Sequence, residues 1–439
     1  MFFSFSFFVL KIKFVIMPTY YITTLNIAIP VFISLILLEI FYAKYLDKTY
    51  VIRSMDTLSS LCSGLTNVIR DVLGLTIIIL SYDFMVDNLA LFKIKTTWLT
   101  YVIAFIGIDF AGYWVHRINH SINYFWNHHI IHHSSEEFNL ACALRQSISN
   151  FFSLTFIFLI PTAILGIPTE VITFLAPLHL FAQYWYHTRL IGKLGFLEYI
   201  IVTPSHHRVH HAINKEYLDK NLSQIFIIWD KLFGTFQEEL DDVPPVYGVK
   251  RPVRSWNPIY INFVHLFLLI KDAWRTNNWI DKFRIWFMPT GWRPKDVEKK
   301  FPVATIDSTN NYEKYYPSLS NNLKIWSWLQ YIIVSFFMMY FINHLHLITF
   351  VEGIFYSLFL FIFIYSLTSL MDRDTYALFF EVIKFVLGFF IIIFFGDWFL
   401  ISDYFNSATI MIQTYFISSL LIVFYFSYFE KNQLSYSKE

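Results

Sequence analysis

The chain has 439 residues, of which 56% are hydrophobic, 21% aromatic and only 15% charged, with a formal net charge of +1. This composition excludes a disordered chain and argues for an integral membrane protein. The small net charge gives no reason to expect nucleic acid as a partner. Two cysteines, Cys62 and Cys142, cannot build a disulfide framework and lack metal-type spacing. They read as small buried hydrophobes and fix no compartment.

Residues 1–16 place Lys11 and Lys13 after an apolar run and show no cleavage site, the reverse of a signal peptide. They read as a doubtful N-terminal extension, either an upstream start with Met17 as the alternative or a short interfacial segment. A helical span takes roughly 20 apolar residues. Candidates follow at 22–43, at 68–92 (interrupted by Asp71, Asp83 and Asp87) and at 96–115, which leads directly into His116. Segments 148–166 and 170–188, separated by Pro168, are short enough for a hairpin. A polar stretch at 189–321, rich in Lys and Arg, favours the cytoplasmic side. Four more spans are expected at 323–345, 347–370, 376–400 and 407–429. Glu381 and Lys384, three residues apart inside one of them, read as a helix-internal ion pair.

The expected fold is an all-α integral membrane protein. A multi-span bundle carries a histidine-rich di-metal site at the cytosolic membrane face, and a four-helix membrane bundle follows. The boundaries are 1–16 for the extension, 17–300 for the histidine-bearing module, 301–322 for a linker and 323–430 for the C-terminal bundle.

Eight of the 15 histidines gather in three clusters: His116 and His120; His129, His132 and His133; His207, His210 and His211. On a helix, i,i+4 puts two imidazoles on one face, and i,i+3,i+4 puts three there. Eight imidazoles suffice for two ions, and buried without metal they would leave many polar groups unsatisfied. No cysteine accompanies them as a structural zinc site would want, so a redox-active pair is favoured, iron above all. His187, i+4 from Gln183, reads as a ninth ligand, with Gln183 in support. His128 and His206 break the spacing, while His265, His344 and His346 stand alone and read as core or surface residues. Asp109, two turns before His116, is a candidate to orient a metal-bound ring. Arg117, Arg145 and Arg208 are candidate head-group or pterin anchors, with salt bridges the simpler reading. A metal transporter would string its ligands along a path, whereas these cluster near one surface.

The order H-x(3)-H, H-x-x-H-H, H-x-x-H-H between membrane spans, with the run from Asn221 to Trp229-Asp230-Lys231-Leu232-Phe233-Gly234-Thr235-Phe236, resembles the fatty acid hydroxylase/sterol desaturase superfamily of membrane di-iron oxygenases. The stretches around His116–His120, His129–Ser147 and Thr203–Phe236, with VYGVKRPV, the C-terminal bundle and its Met371-Asp372-Arg373 turn, resemble the alkylglycerol monooxygenase family within it. The resemblance covers roughly 25–430. It implies two iron ions on the eight clustered histidines and His187, with O2 and tetrahydrobiopterin as co-reactants. The implied reaction hydroxylates the carbon beside an ether oxygen in an alkylglycerol lipid, and the hemiacetal collapses to a fatty aldehyde and a glycerol derivative. The other reading within the superfamily is a sterol or fatty-acid hydroxylase or desaturase fed by a protein electron donor. Ser121 stands where the animal family members have Glu, a departure that bears on reductant and substrate range. The implied location is the endoplasmic reticulum in a eukaryote or the cytoplasmic membrane in a bacterium.

Overall fold

A computed structural model describes residues 19–73, 78–149, 155–310 and 312–430. The reading of residues 1–16 and of Met17 as a start lies outside the described residues. Among the described residues the chain is all helical, with no strand beyond three isolated bridges. The main helices are α1 Thr19–Tyr45, α2 Ser54–Val72, α3 Ile78–Leu89, α4 Trp98–Ser121, α5 Asn123–His133 and α6 Thr169–Phe181. They continue with α7 Pro204–His210, α8 Ile228–Phe233, α9 Pro258–Arg275 and α10 Trp279–Arg284. The C-terminal four are α11 Asn321–His344, α12 Phe350–Met371, α13 Ala377–Phe395 and α14 Ala408–Phe424. Among the described residues six helices are long and apolar enough to cross a membrane: α1, α4, and α11 to α14, the last through Glu430. The chain is thus a multi-pass membrane protein.

Three expectations change in detail. The span expected at 68–92 is two helices, α2 and α3. α2 begins in polar sequence, yet nearly all of its first half is buried. Part of its hydroxyl set bonds to backbone: Ser60 Oγ donates to Asp56 O (3.0 Å), Thr66 Oγ1 to Ser63 O (2.7 Å) and Ser59 Oγ to Trp256 O (2.7 Å), while Thr57 Oγ1 and Ser63 Oγ are buried without a partner. Such backbone bonds lower the cost of taking a polar helix into a core. The span expected to end at residue 115 continues to Ser121 as α4, opened by a capping box between Thr97 and Thr100. The hairpin of 148–188 consists of short helices at Thr155–Phe158 and Ile160–Ile164, then α6 from Thr169, just after Pro168. At about 1.5 Å per residue, α6 is too short to cross a hydrocarbon core.

α2 also joins the C-terminal bundle. Met55, Leu58, Cys62, Leu65 and Ile69 share one core with Val334, Phe337, Phe363, Trp398 and Phe416. Both cysteines are buried and free. Inside the bundle, Lys384 Nζ meets Glu381 Oε1 at 2.8 Å, and each side chain is almost fully enclosed. Ser366 and Ser419 hydroxyls each donate to the Glu381 carboxylate at 2.6 Å. An ion pair so enclosed is worth less than the damage done by removing one member. Lys384→Met alone should therefore destabilise the folded protein by about 3–5 kcal/mol. The double variant Glu381→Leu/Lys384→Met should recover most of the loss in detergent unfolding midpoints. A double variant no more stable than the single would refute this account.

Candidate metal centre

α4 ends with His116 and His120 on one face, and the chain then turns sharply into α5. Asn123 pins that corner: its Nδ2 donates to Ile285 O and Trp292 O (both 3.0 Å), and its Oδ1 accepts from Gly291 N (2.8 Å). α5 returns with His129, His132 and His133. α7, opened by Thr203 with Pro204 at its first turn and a box closed by His206, brings His207 and His210, with His211 at its C-cap. His187 follows the end of α6.

All nine histidines expected at the site meet, in two groups that could each hold a metal ion. His116, His120, His129, His133 and His210 form one, and His132, His187, His207 and His211 the other; within each, the candidate ligand atoms lie within 4.8 Å of one another. The division corrects the expectation that each H-x-x-H-H cluster turns three rings to one face. Neighbouring residues on a helix are about 100° apart, whereas i and i+4 are only about 40° apart. The i,i+4 pair therefore shares an ion site and the middle histidine points to the other. His129 and His133 serve the first group while His132 serves the second; His207 and His211 serve the second while His210 serves the first.

The nitrogens are close. Nε2 of His116 lies 2.8 Å from Nε2 of His129, and His133 Nε2 lies 3.1 Å from His129 Nε2 and 3.2 Å from His120 Nε2. In the second group His207 Nε2 lies 2.9 Å from His187 Nε2 and 3.0 Å from His211 Nε2. Two imidazoles bound at about 2.1 Å to one ion at a right angle would have nitrogens about 3 Å apart. His210 Nε2 is buried without a hydrogen-bond partner.

The outer nitrogens explain why these atoms face inward. Nδ1 of His116 donates to Leu222 O (2.7 Å), of His132 to Arg145 O (3.2 Å), of His187 to Gln183 O (3.0 Å) and of His210 to Lys220 O (3.0 Å). His120 Nδ1 bonds to Asp219 Oδ1 at 3.0 Å. A ring that donates through Nδ1 keeps its lone pair on Nε2, the state a metal needs. The loop supplying three of these acceptors is held open by Asp219 and Asn221, both at positive φ (55° and 51°), where Asp and Asn are tolerated. Asp230 fixes it by accepting from Leu222 N (2.7 Å), Ser223 N (2.8 Å) and Thr235 Oγ1 (2.6 Å).

Phe138, Tyr186 and Trp126 rings close over the cluster, with Tyr186 4.3 Å from His207 between centroids. Burial, then the neighbouring imidazoles, push His129, His133, His207 and His211 well below the usual imidazole range, and His187 and His210 likewise. Burial pushes His132 down to about 4. The rings outside the long spans are therefore neutral at physiological pH, as metal binding requires.

The remaining candidates lie elsewhere. Asp109 orients a histidine, but it is His179, not a member of either group: His179 Nε2 donates to Asp109 Oδ1 at 2.8 Å. The same carboxylate accepts from Ile225 N, Phe226 N and Trp229 Nε1, so it joins α4 to α8 instead. The Gln183 side chain donates to His179 Nδ1, and only its carbonyl serves His187. Arg145 meets Asp56 at 2.8 Å, Arg208 meets Glu239 at 2.6 Å, and Arg117 donates to Tyr113 and Phe233 O, so all three are internal braces. His265 contacts Asn123 O and His344 contacts Tyr340 O, away from the groups. Sequence reading missed Asp219 and the four carbonyls. An acceptor carbonyl has no residue type, so only the Asn221 to Asp230 run hinted at the loop.

Two outcomes follow. Asp230→Ala, which touches no histidine, should loosen the Leu222 carbonyl and lower metal affinity about 10–100-fold, read as metal retained after chelator challenge; retention equal to the parent's would exclude this brace. Depressed imidazole pKa values also set a sign for acid stability. The unfolded histidines take up protons near pH 6.5 while the folded His132 does so near 4. Its contribution is complete above 6.5 and is lost as pH falls toward 4. The metal-free protein's unfolding midpoint should drop steadily through that window, and a flat profile would contradict it.

The fatty acid hydroxylase family matches residues 101–235, a stretch that contains all nine histidines. The alkylglycerol monooxygenase of Homo sapiens is 38% identical over 312 residues, 71% of this chain and 69% of the human protein. That of Danio rerio is 35% identical over 317 residues, 72% and 69% of the two chains. The ornithine lipid hydroxylase OlsE of Rhizobium tropici is 29% identical over 136 residues, 31% of this chain and 41% of that protein. No solved structure matches the chain. A helical membrane chain that gathers nine histidines at the end of a span, and is this similar to these enzymes over most of its length, belongs to the alkylglycerol monooxygenase family of lipid-modifying oxidoreductases.

Proposed function

We propose that each histidine group holds one iron ion and that the chain hydroxylates the ether-adjacent carbon of O-alkylglycerol lipids, using O2 and tetrahydrobiopterin. The observation that carries this reading is the inward turn of nine imidazoles, split five and four, at the end of an apolar helix. The donor set fits two ions: nitrogens about 3 Å apart and the orphaned Nε2 of His210 have no better partner than a cation. All-imidazole sites suit redox-active first-row metals, and such ions would supply O2 activation and attack on the C–H bond beside the ether oxygen.

The protein's part is binding, orientation and exclusion of water. The carbonyls of Leu222, Arg145, Gln183 and Lys220 set ring tautomers. Phe138, Tyr186 and Trp126 keep the groups dry. α4 delivers His116 and His120 at a span's end, where a lipid chain arrives from the hydrocarbon and its polar head stays outside. The Lys- and Arg-rich stretch around α7 to α10 supports a cytosolic orientation of this end. The hydroxylated product is a hemiacetal. Its C–O ether bond breaks as the new hydroxyl becomes the aldehyde carbonyl, and the hydroxyl proton ends on the glycerol oxygen.

One observation favours the second reading, a lipid hydroxylase or desaturase fed by a protein donor. Ser121 is exposed and donates to Arg117 O at 2.6 Å, so it offers no carboxylate. The nearby acids are engaged: Glu136 with Tyr312 and Tyr315, Glu137 with Arg53, Arg189 and Lys314. Membranes carrying the iron-loaded protein, given a 1-O-alkylglycerol, should release fatty aldehyde with tetrahydrobiopterin and far less without it. No aldehyde in either condition sinks the ether-lipid reading, and aldehyde that requires a protein donor selects the second reductant. His132→Ala should abolish turnover while the protein still inserts in the membrane.

A further inference from the structure

α9 is apolar on its outer face and mixed on its inner one. Ile261, Asn262, His265, Leu269 and Asp272 are buried, whereas Tyr260, Phe267, Ile270 and Trp274 form an outward stripe. Those positions are seven, three and four residues apart, one face of a helix. The stripe continues in α10 and just beyond it, where Trp279, Phe283 and Phe287 are 72%, 69% and 72% exposed; Trp274 reaches 86%. In water the apolar face turns inward and the polar face outward. Here the polar groups are satisfied inside: Asn262 Oδ1 accepts from Ile148 N at 3.0 Å, and Asp272 takes both Nε and Nη2 of Arg293 at 2.6 and 2.9 Å.

The corner cannot fold over to hide its rings. Asn278 caps α10 through Ile280 N, and Lys282 Nζ donates to Ala273 O (3.0 Å) and Trp274 O (3.1 Å) at the end of α9. Lys271 and Arg275 are exposed beside the rings, and the acids Asp272 and Asp281 are buried; the exposed carboxylate of Asp296 at the turn is taken up by Thr276 Oγ1 and Asn277 N. The corner's position is fixed as well. Thr290 N donates to Ser121 O (3.2 Å), Asn123 N to Met288 O (3.0 Å) and Tyr124 N to Trp286 O (2.9 Å). Ser121 is the last residue of a candidate span, so this backbone ladder holds the corner at the membrane boundary.

We propose that the α9–α10 corner is seated in the interfacial layer of the bilayer, with Trp274, Trp279, Phe283 and Phe287 among the upper acyl chains and Lys271 and Arg275 at the phosphates. Aromatic rings and snorkelling cations prefer that layer. The seat anchors the turn between His120 and His129, and so fixes the histidine groups relative to the lipid surface.

Full-length protein carrying Phe283→Cys or Trp274→Cys, each labelled with a nitroxide, is placed in nanodiscs of phosphatidylcholine with a minority of phosphatidylglycerol. Cys62 and Cys142 are buried and take no label. Asp241→Cys, at a fully exposed side chain, reports water. Power saturation should give a severalfold higher ratio of oxygen to chromium oxalate access at 283 and 274 than at 241. Labels at both positions as open to chromium oxalate as at 241 overturn the proposal, and so does protection that appears only when a second protein is added. The two positions lie on different helices, so a folding defect in one leaves the other to decide.

Discussion

Nine imidazoles held with their lone pairs toward one another in a dry interior is the constraint on which the rest of this structure depends. Nitrogens 2.8 to 3.2 Å apart repel if all are unprotonated and cannot all carry protons in so little space. Burial already drives the rings outside the spans to the neutral form. Five of the nine rings, His116, His120, His132, His187 and His210, are tied through Nδ1 to fixed acceptors, which holds their inner nitrogens in place. Those ties explain features with no chemistry of their own: the positive φ of Asp219 and Asn221, the buried Asp230, and the dense bonding of Asn123.

The H-x-x-H-H motif is a bridge and not a three-toothed clamp. Because adjacent histidines diverge by about 100°, each such motif reaches both groups. α5 and α7 exchange one histidine each: His132 crosses to the α7 group and His210 to the α5 group. Two groups linked in this way cannot move independently. His133 and His211 rings stack at 4.4 Å where they meet. A pair of ions bound here would share a rigid frame, the condition for two metals to act on one O2 molecule.

The sequence exposed most of the site and less of its support. Histidine spacing named eight members of the two groups, the resemblance and the i,i+4 relation to Gln183 added His187, and hydropathy found the six long apolar helices seen among the described residues. Spacing did not assign members to groups, because a cluster read as one face hides the angle between i+3 and i+4. Asp109 illustrates the same limit. Its place two turns before His116 was right for the helix, but its carboxylate follows the neighbouring wall, and that wall carries His179 and Trp229. α2 was overlooked because its serines and threonines look like loop; Ser59, Ser60 and Thr66 enter the core by bonding to backbone carbonyls.

Beside its apolar core the chain buries several charged groups that join its elements. Glu39 on α1 is buried and accepts from Leu140 N (2.7 Å) and Thr188 Oγ1 (2.6 Å), which joins the first span to the residue after His187. Glu137 gathers Arg53, Arg189 and Lys314 just beyond α5, and Asp56 on α2 holds Arg145, whose carbonyl in turn orients His132. Outside these ties the helices show Phe, Ile, Leu and Trp to lipid. Association of such helices gains little from hiding apolar surface, since lipid is as apolar as the core. Specificity then rests on the few polar contacts between elements. Those made by Glu39, Glu137 and Asp56 meet the backbone around the histidines, so in the histidine-bearing module the contacts that join the elements also shape the metal centre.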